Sequence, residues 1–150
     1  MRVVIQRVNS ASLSIDKEIY SYIGKGLLIL IGVENEDTKE DAEWLSKKIV
    51  QLRIFGDDND LMNLSLQDID GEILVVSQFT LYASTKKGNR PSFVRSAKPS
   101  TAEPLYEYFI QQISTHVNKE IKRGVFGADM KINLVNDGPV TIVIDTKQKE

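Results

Sequence analysis

The sequence predicts an α+β domain in which two helices pack on a mixed or antiparallel sheet, curved or barrel-like. Three observations carry this. The first third is strand-like with hairpin spacings. Two amphipathic helical stretches flank one short β-branched run. The tail then returns to two strand-like segments.

Taken in order, residues 1–8 form a candidate strand, Ala11–Ile15 a second, and Glu18–Ile23 a third beyond the polar Asp16-Lys17. Gly24-Lys25-Gly26 marks a turn. Residues 26–33 are apolar on both parities, which predicts a central strand covered on both faces. A helix is expected from Thr38, whose hydroxyl can cap the first turn, with Glu40 and Asp41 at its positive end. Ala42, Leu45, Ile49 and Leu52 share one face of it. Gly56 and the polar run Asp57-Asp58-Asn59-Asp60 end that element in a solvated turn. Ile73-Leu74-Val75-Val76 reads as a buried strand. A second helix is expected from Ser100, where Ser100-x-x-Glu103 matches a capping box. Leu105, Phe109, Ile113, Val117 and Ile121 form its buried stripe, and Gly124 stops it. Lys131–Val135 and Val140–Asp145 are the last strands.

Composition bounds the partners. The 150 residues suit one domain spanning 1–150. At 41% apolar and 27% charged, the chain can bury a core and stay in water. No run approaches the ~18 apolar residues of a membrane helix. Residues 1–8 lack the apolar region and cleavage site of a signal peptide. With no cysteine, disulfides, thiol nucleophiles and cysteine-rich metal sites are excluded. A net charge of −2 means that any nucleic acid must bind a local basic patch.

The chemistry concentrates at Ser77-Gln78-Phe79-Thr80-Leu81, directly after the buried strand. A rigid strand end there delivers two hydroxyls, an amide and a ring to one place. A hydroxyl nucleophile needs a base. The single histidine, His116, falls in the middle of the second predicted helix, at the edge of its apolar stripe, so a Ser-His-Asp arrangement is not expected. No His/Asp/Glu set has metal-ligand spacing, and no Gly-rich phosphate motif appears, so neither metal nor cofactor is expected. Lys86-Lys87-Gly88-Asn89-Arg90-Pro91-Ser92-Phe93-Val94-Arg95 combines four cations, a glycine and a ring. It is either a phosphate-gripping segment or a solvated loop. Arg7 shares strand parity with Val3 and Ile5, so it either finds a partner among core residues or snorkels to water. Asn136-Asp137-Gly138-Pro139 reads as a turn, or as a place where a backbone without a side chain approaches a ligand.

Residues 1–8, Ser77-Gln78-Phe79-Thr80-Leu81, Lys87-Gly88-Asn89-Arg90-Pro91-Ser92-Phe93, Gly124-Val125-Phe126-Gly127-Ala128-Asp129-Met130 and Asn136-Asp137-Gly138-Pro139-Val140-Thr141 together resemble the D-aminoacyl-tRNA deacylase family. The similarity runs from residue 1 to about residue 146. The resemblance implies a cytoplasmic homodimer that hydrolyses the ester between a D-amino acid and the terminal adenosine of tRNA, with mischarged glycyl-tRNA as a second substrate. It implies a site at the dimer interface, with a cis Gly138-Pro139 reaching from one subunit into the pocket of the other. Thr80, Gln78 and Phe79 are then expected at the reaction. Ser77, Gly138, Pro139, Asn136, Arg7, Phe126 and Met130 are expected around the substrate, and Lys86, Lys87, Arg90 and Arg95 on the tRNA. Two rivals remain at this stage. One is a small-molecule esterase or amidase using Ser77 or Thr80, and the other a non-catalytic RNA-binding module using residues 86–95.

Overall fold

The computed structural model describes residues 1–149. Its frame is one long strand, β1 (Arg2–Ile15), where two shorter ones are expected. The polar residues between the expected pair, Asn9 and Ser10, do not end it, because the last strand of the chain runs along its far edge past them, pairing Val8 with Asn136 and Ser10 with Val135. On one side β1 pairs antiparallel with β3 (Gly26–Gly32) through residues 2–8 and with β2 (Glu18–Ile23) through residues 11–15. On the other side it pairs with β8 (Lys131–Asp145) from Arg2↔Asp145 to Ser14↔Lys131.

The sheet continues from β3 through parallel pairing to β6 (Glu72–Ser77) and then β7 (Lys122–Arg123), in the order β2-β1-β3-β6-β7 with β8 on β1. Ser21 at the far end donates its hydroxyl to the Arg123 carbonyl at 2.6 Å, so the mixed sheet curls until it is nearly closed. A small hairpin, β4 (Phe55–Gly56) with β5 (Met62–Leu64), stands apart. Its turn is the acidic run 57–60, where the Asp57 carboxylate accepts the amides of Asn59 and Leu61.

The two-sided apolar runs now have a reason. Leu27, Ile29, Ile31, Ile73 and Val75 face the helices, in a core shared with Leu45, Ile49, Phe109 and Ile113. Leu28, Leu74 and Val76 face the interior of the curled sheet, where they meet Val8, Leu13 and Ile23. Each strand alternates between two cores, so both parities are apolar.

Helix α1 (Lys39–Val50) begins as expected, with the Asp41 carboxylate accepting both the amide and the hydroxyl of Thr38. Leu52 lies two residues past its end, half-buried against the core. Helix α2 (Pro99–Ser114) begins next to the expected Ser100 but departs from expectation in its cap and at its far end. It starts with Pro99 in its first turn and Lys98 as cap, and no side chain caps it, so the Ser100–Glu103 box does not form. A proline there lacks only an amide that would be unpaired anyway. The helix stops at Ser114, ten residues before Gly124. Val117, Ile121 and His116 therefore lie in the segment after it, and Ile121 is buried without being helical. Gly124 does different work: a Cβ there would come within 2.5 Å of the Met130 sulfur.

The tail also differs. Lys131–Val135 and Val140–Asp145 are one strand, and Asn136–Thr141 is no turn. Gln6 pairs with Thr141 and Val8 with Asn136, so four residues of β8 stand opposite Arg7 alone. This is a wide bulge.

Candidate active site

Ser77 is the last residue of β6, level with Ile31 on β3. The Gln78 amide adds one more bond, to the Ile31 carbonyl at 2.7 Å. The chain then turns through a single 3-10 turn, Phe79–Tyr82. A cleft of about 540 Å³ opens beside it. Ser77, Gln78 and Phe79 form one wall, and the loop Phe126–Met130 forms the other. Its floor is apolar: Ile31, Val33 and Val76 from the sheet, Ala97, Ala102 and Tyr106 from α2 and the segment before it. Tyr106 is fixed by its hydroxyl, which donates to the Val75 carbonyl at 3.1 Å, and Phe126 leans on its ring at 5.8 Å. Burial pushes the Tyr106 phenol up to about 12, so it stays neutral.

Five expected residues thus meet in one cleft: Ser77, Gln78, Phe79, Phe126 and Met130. Thr80 sits next to it, exposed, in the 3-10 turn. Its hydroxyl oxygen accepts from the Gln78 side-chain amide, which is no base. At the start of so short a turn, the amides of Phe79 and Thr80 have no acceptor within it. Phe79 is 58% exposed and packs edge-on against Phe93 at 5.0 Å.

The other expected residues lie elsewhere in the chain. Arg7, Asp137, Gly138 and Pro139 line a separate pocket of about 490 Å³. Arg7 has its partner: it donates to the Ile54 carbonyl at 2.6 Å and meets the Asp137 carboxylate at 3.0 Å. Gly138 adopts φ +119, and a Cβ there would lie 2.9 Å from the Arg7 guanidinium. The Gly138-Pro139 bond is cis, and both residues are exposed. Asn136 is half-buried just before them. Arg7 is level with Leu27, and Leu27 with Ile73, four residues before Ser77. The bulge is therefore roughly 13 Å from Ser77 along the strands, and three strands across.

The basic segment divides. Lys86, Lys87 and Arg90 are exposed, and among the described residues they form no ion pair. Arg95 is held by the Glu34 carboxylate at 2.8 Å, with its guanidinium over the Tyr82 ring. The sequence reading overlooked the cleft's floor. Ile31, Ala97 and Ala102 carry no reactive group, the Tyr106 phenol is tied to the Val75 carbonyl, and the apolar spacing around them marks core equally well.

A family model described as D-Tyr-tRNA(Tyr) deacylase matches residues 4–145. D-aminoacyl-tRNA deacylases of Flavobacterium johnsoniae and Bacteroides fragilis are 58% and 60% identical, over the whole of this chain and of theirs. A solved structure titled c-Myc DNA unwinding element binding protein superposes with a TM-score of 0.92 at 40% identity, covering 97% of this chain and 98% of that one. Another, a probable eukaryotic D-amino acid tRNA deacylase, shares the fold with a TM-score of 0.81 at 19% identity. From residue 4 to residue 145, by family pattern and by full-length identity, the chain belongs to the D-aminoacyl-tRNA deacylase family.

Proposed function

We propose that this protein hydrolyses the ester joining a D-amino acid, or mischarged glycine, to the terminal adenosine of tRNA, as a cytoplasmic homodimer. The observation that carries the reading is the cleft at the end of β6. It is apolar at its floor, polar at its rim, and flanked by two backbone amides with no acceptor in their own turn. The floor suits a nucleobase, and the Ser77 hydroxyl and Gln78 amide on the wall offer hydrogen bonds to a ribose or an α-amino group. The amides of Phe79 and Thr80 suit the oxyanion that forms when water attacks the ester carbonyl.

Among the described residues no basic group hydrogen-bonds the Thr80 hydroxyl, and the ester is reactive already. Hydrolysis is therefore substrate-assisted: the enzyme positions the ester and a water, and the neighbouring ribose 2′-hydroxyl supplies the polar assistance. Chirality is read by the backbone. A proofreader that accepts many D side chains cannot use a side-chain pocket, so it must read what all amino acids share. The exposed Gly138-Pro139 bulge of a second copy, entering the cleft, would wall off the direction in which an L side chain projects. Glycine, with no side chain, would pass. The distance between bulge and cleft within one chain supports this division between two copies. Lys86, Lys87 and Arg90 would hold the phosphates of the acceptor end.

One assay tests the reading: hydrolysis of D-Tyr-tRNA and L-Tyr-tRNA, and of D-Tyr-tRNA whose 3′ end lacks the 2′-hydroxyl. The D substrate should be cleaved at least about a hundredfold faster than the L, and removing the 2′-hydroxyl should slow it comparably. Equal cleavage of both enantiomers would end the proofreading claim. Thr80→Ala should stay within about threefold of the parent enzyme. A dead variant with an intact fold and intact tRNA binding would make Thr80 the nucleophile.

A further inference from the structure

We propose that Arg2, on the first strand, is the positioning residue of the catalytic turn. This rests on the reading of function above. A one-turn 3-10 element satisfies few of its own carbonyls: Thr80 accepts locally from the Ala83 amide at 3.0 Å, whereas Leu81 and Phe79 accept from side chains distant in sequence. The Leu81 carbonyl accepts from Arg2 Nη1 at 2.8 Å. The Phe79 carbonyl accepts from the Ser96 hydroxyl at 2.9 Å.

Arg2 is itself clamped. Its Nε and Nη2 both donate to one Asp145 oxygen, at 3.0 and 2.8 Å. Its guanidinium lies 4.8 Å from the centre of the Tyr82 ring, which is buried. Arg95, anchored on Glu34, lies over the same ring at 5.3 Å. Tyr82 closes the turn that carries Phe79 and Thr80, so two guanidinium groups hold it while Arg2 also grips the backbone beside it. Glu34, Asp37 and Asp145 lie around the Tyr82 phenol, and burial with their charge keeps it neutral. Gly32, level with Arg2 on β3, lets the turn sit close: a Cβ there would be 3.0 Å from the Gln78 carbonyl.

The fork geometry of arginine matters here. Three of its nitrogens donate in two directions at once, to Asp145 and to Leu81. A lysine's three donors all radiate from one nitrogen and lack this two-directional planar fork. Arg2 does not line the cleft. It acts by fixing where the Phe79 and Thr80 amides point, and a misplacement of about 1 Å there costs up to about a hundredfold in rate.

The test is steady-state deacylation of D-Tyr-tRNA by Arg2→Lys and Arg2→Met, with thermal melting alongside. The expected result is a kcat lower by about tenfold or more for both, with KM within about twofold of the parent, at a temperature where melting shows the variants folded. A kcat within threefold of the parent, or a loss carried by KM, would overturn the proposal. If Arg2→Met fails to fold, Arg2→Lys, which keeps the charge and most of the volume, decides alone. The parent enzyme separates the two claims. A parent without D-selective hydrolysis overturns the functional reading and this proposal together, whereas an active parent with an unimpaired Arg2→Lys overturns only this one.

Discussion

The 3-10 turn that follows β6 and the bulge within β8 both depart from regular strand, yet they are held in opposite ways. The turn is tied from several sides. Arg2 and Ser96 take its carbonyls, and Tyr82 is buried between two guanidinium groups. What it exposes, Phe79 and Thr80, stands over an apolar cleft. The bulge hangs on one residue, Arg7, which grips Asp137 from the opposing strand. What it exposes is backbone and a proline ring. One region is a cleft with an apolar floor, and the other is an exposed backbone wall beside a smaller pocket lined by Arg7 and Asp137. They lie at opposite ends of the same sheet, so a single copy cannot bring them together without breaking its strands.

The sharpest way to break this comparison is to damage one region per chain and then mix the chains. Gly138→Val alters the bulge, where φ +119 and the 2.9 Å approach to Arg7 leave no room for a side chain. Ala128→Trp fills the cleft. Each variant alone should lose at least about a hundredfold in D-aminoacyl-tRNA hydrolysis. A refolded equal mixture should recover about a quarter of the parent activity, because in the proposed homodimer half the dimers would be mixed and each would hold one intact site. No recovery, from a mixture shown to exchange subunits, would put both regions to work within one chain.

A smaller effect sharpens the account of the turn. Phe79→Ala removes an exposed ring at the cleft mouth. If it stacks on the terminal base, KM for D-Tyr-tRNA should rise about tenfold, with kcat little changed. An unchanged KM would assign the Phe79–Phe93 pair to holding the loop alone.

The smallest effect is on stability in acid. Burial works against the charge of Asp145, but the Lys147 amide and Arg2 outweigh it and hold its carboxyl below the usual 3.8. Asp41 is likewise held low, by Lys147 and Thr38 against its burial. A depressed folded pKa gives stability that is full above the unfolded value and lost as pH falls through the folded one. Burial pushes Asp37 the other way and offsets part of this. The melting temperature should hold from pH 7 to about 5 and decline below about 4, and the decline should be shallower in Asp145→Asn. Parallel slopes would remove Asp145 from the account.

Much of this was legible in the residues. The starts of β2, β3 and β8, the capped start of α1, the two-sided apolar runs and the polar strand end at Ser77 all follow from local pattern. The failures are as instructive. Asn9 and Ser10 looked like a break, and Asn136–Pro139 like a turn, because short-range signals cannot register a neighbour on the far edge. The stripe Leu105–Ile121 keeps helical spacing past Ser114, where the chain is already non-helical and Ile121 is buried by the sheet instead.

The sequence by itself determined the elements, their buried faces and the chemical character of the strand end, since these depend on residue type and spacing along the chain. Only the tertiary structure decided that Arg2 grips Leu81, that Arg7 grips Asp137, and that cleft and bulge lie apart. Those contacts join residues 79, 130 and more positions distant in the chain. Nothing in local spacing encodes them; they exist because pairing β1 with β3 and β8 brings the ends of those strands level.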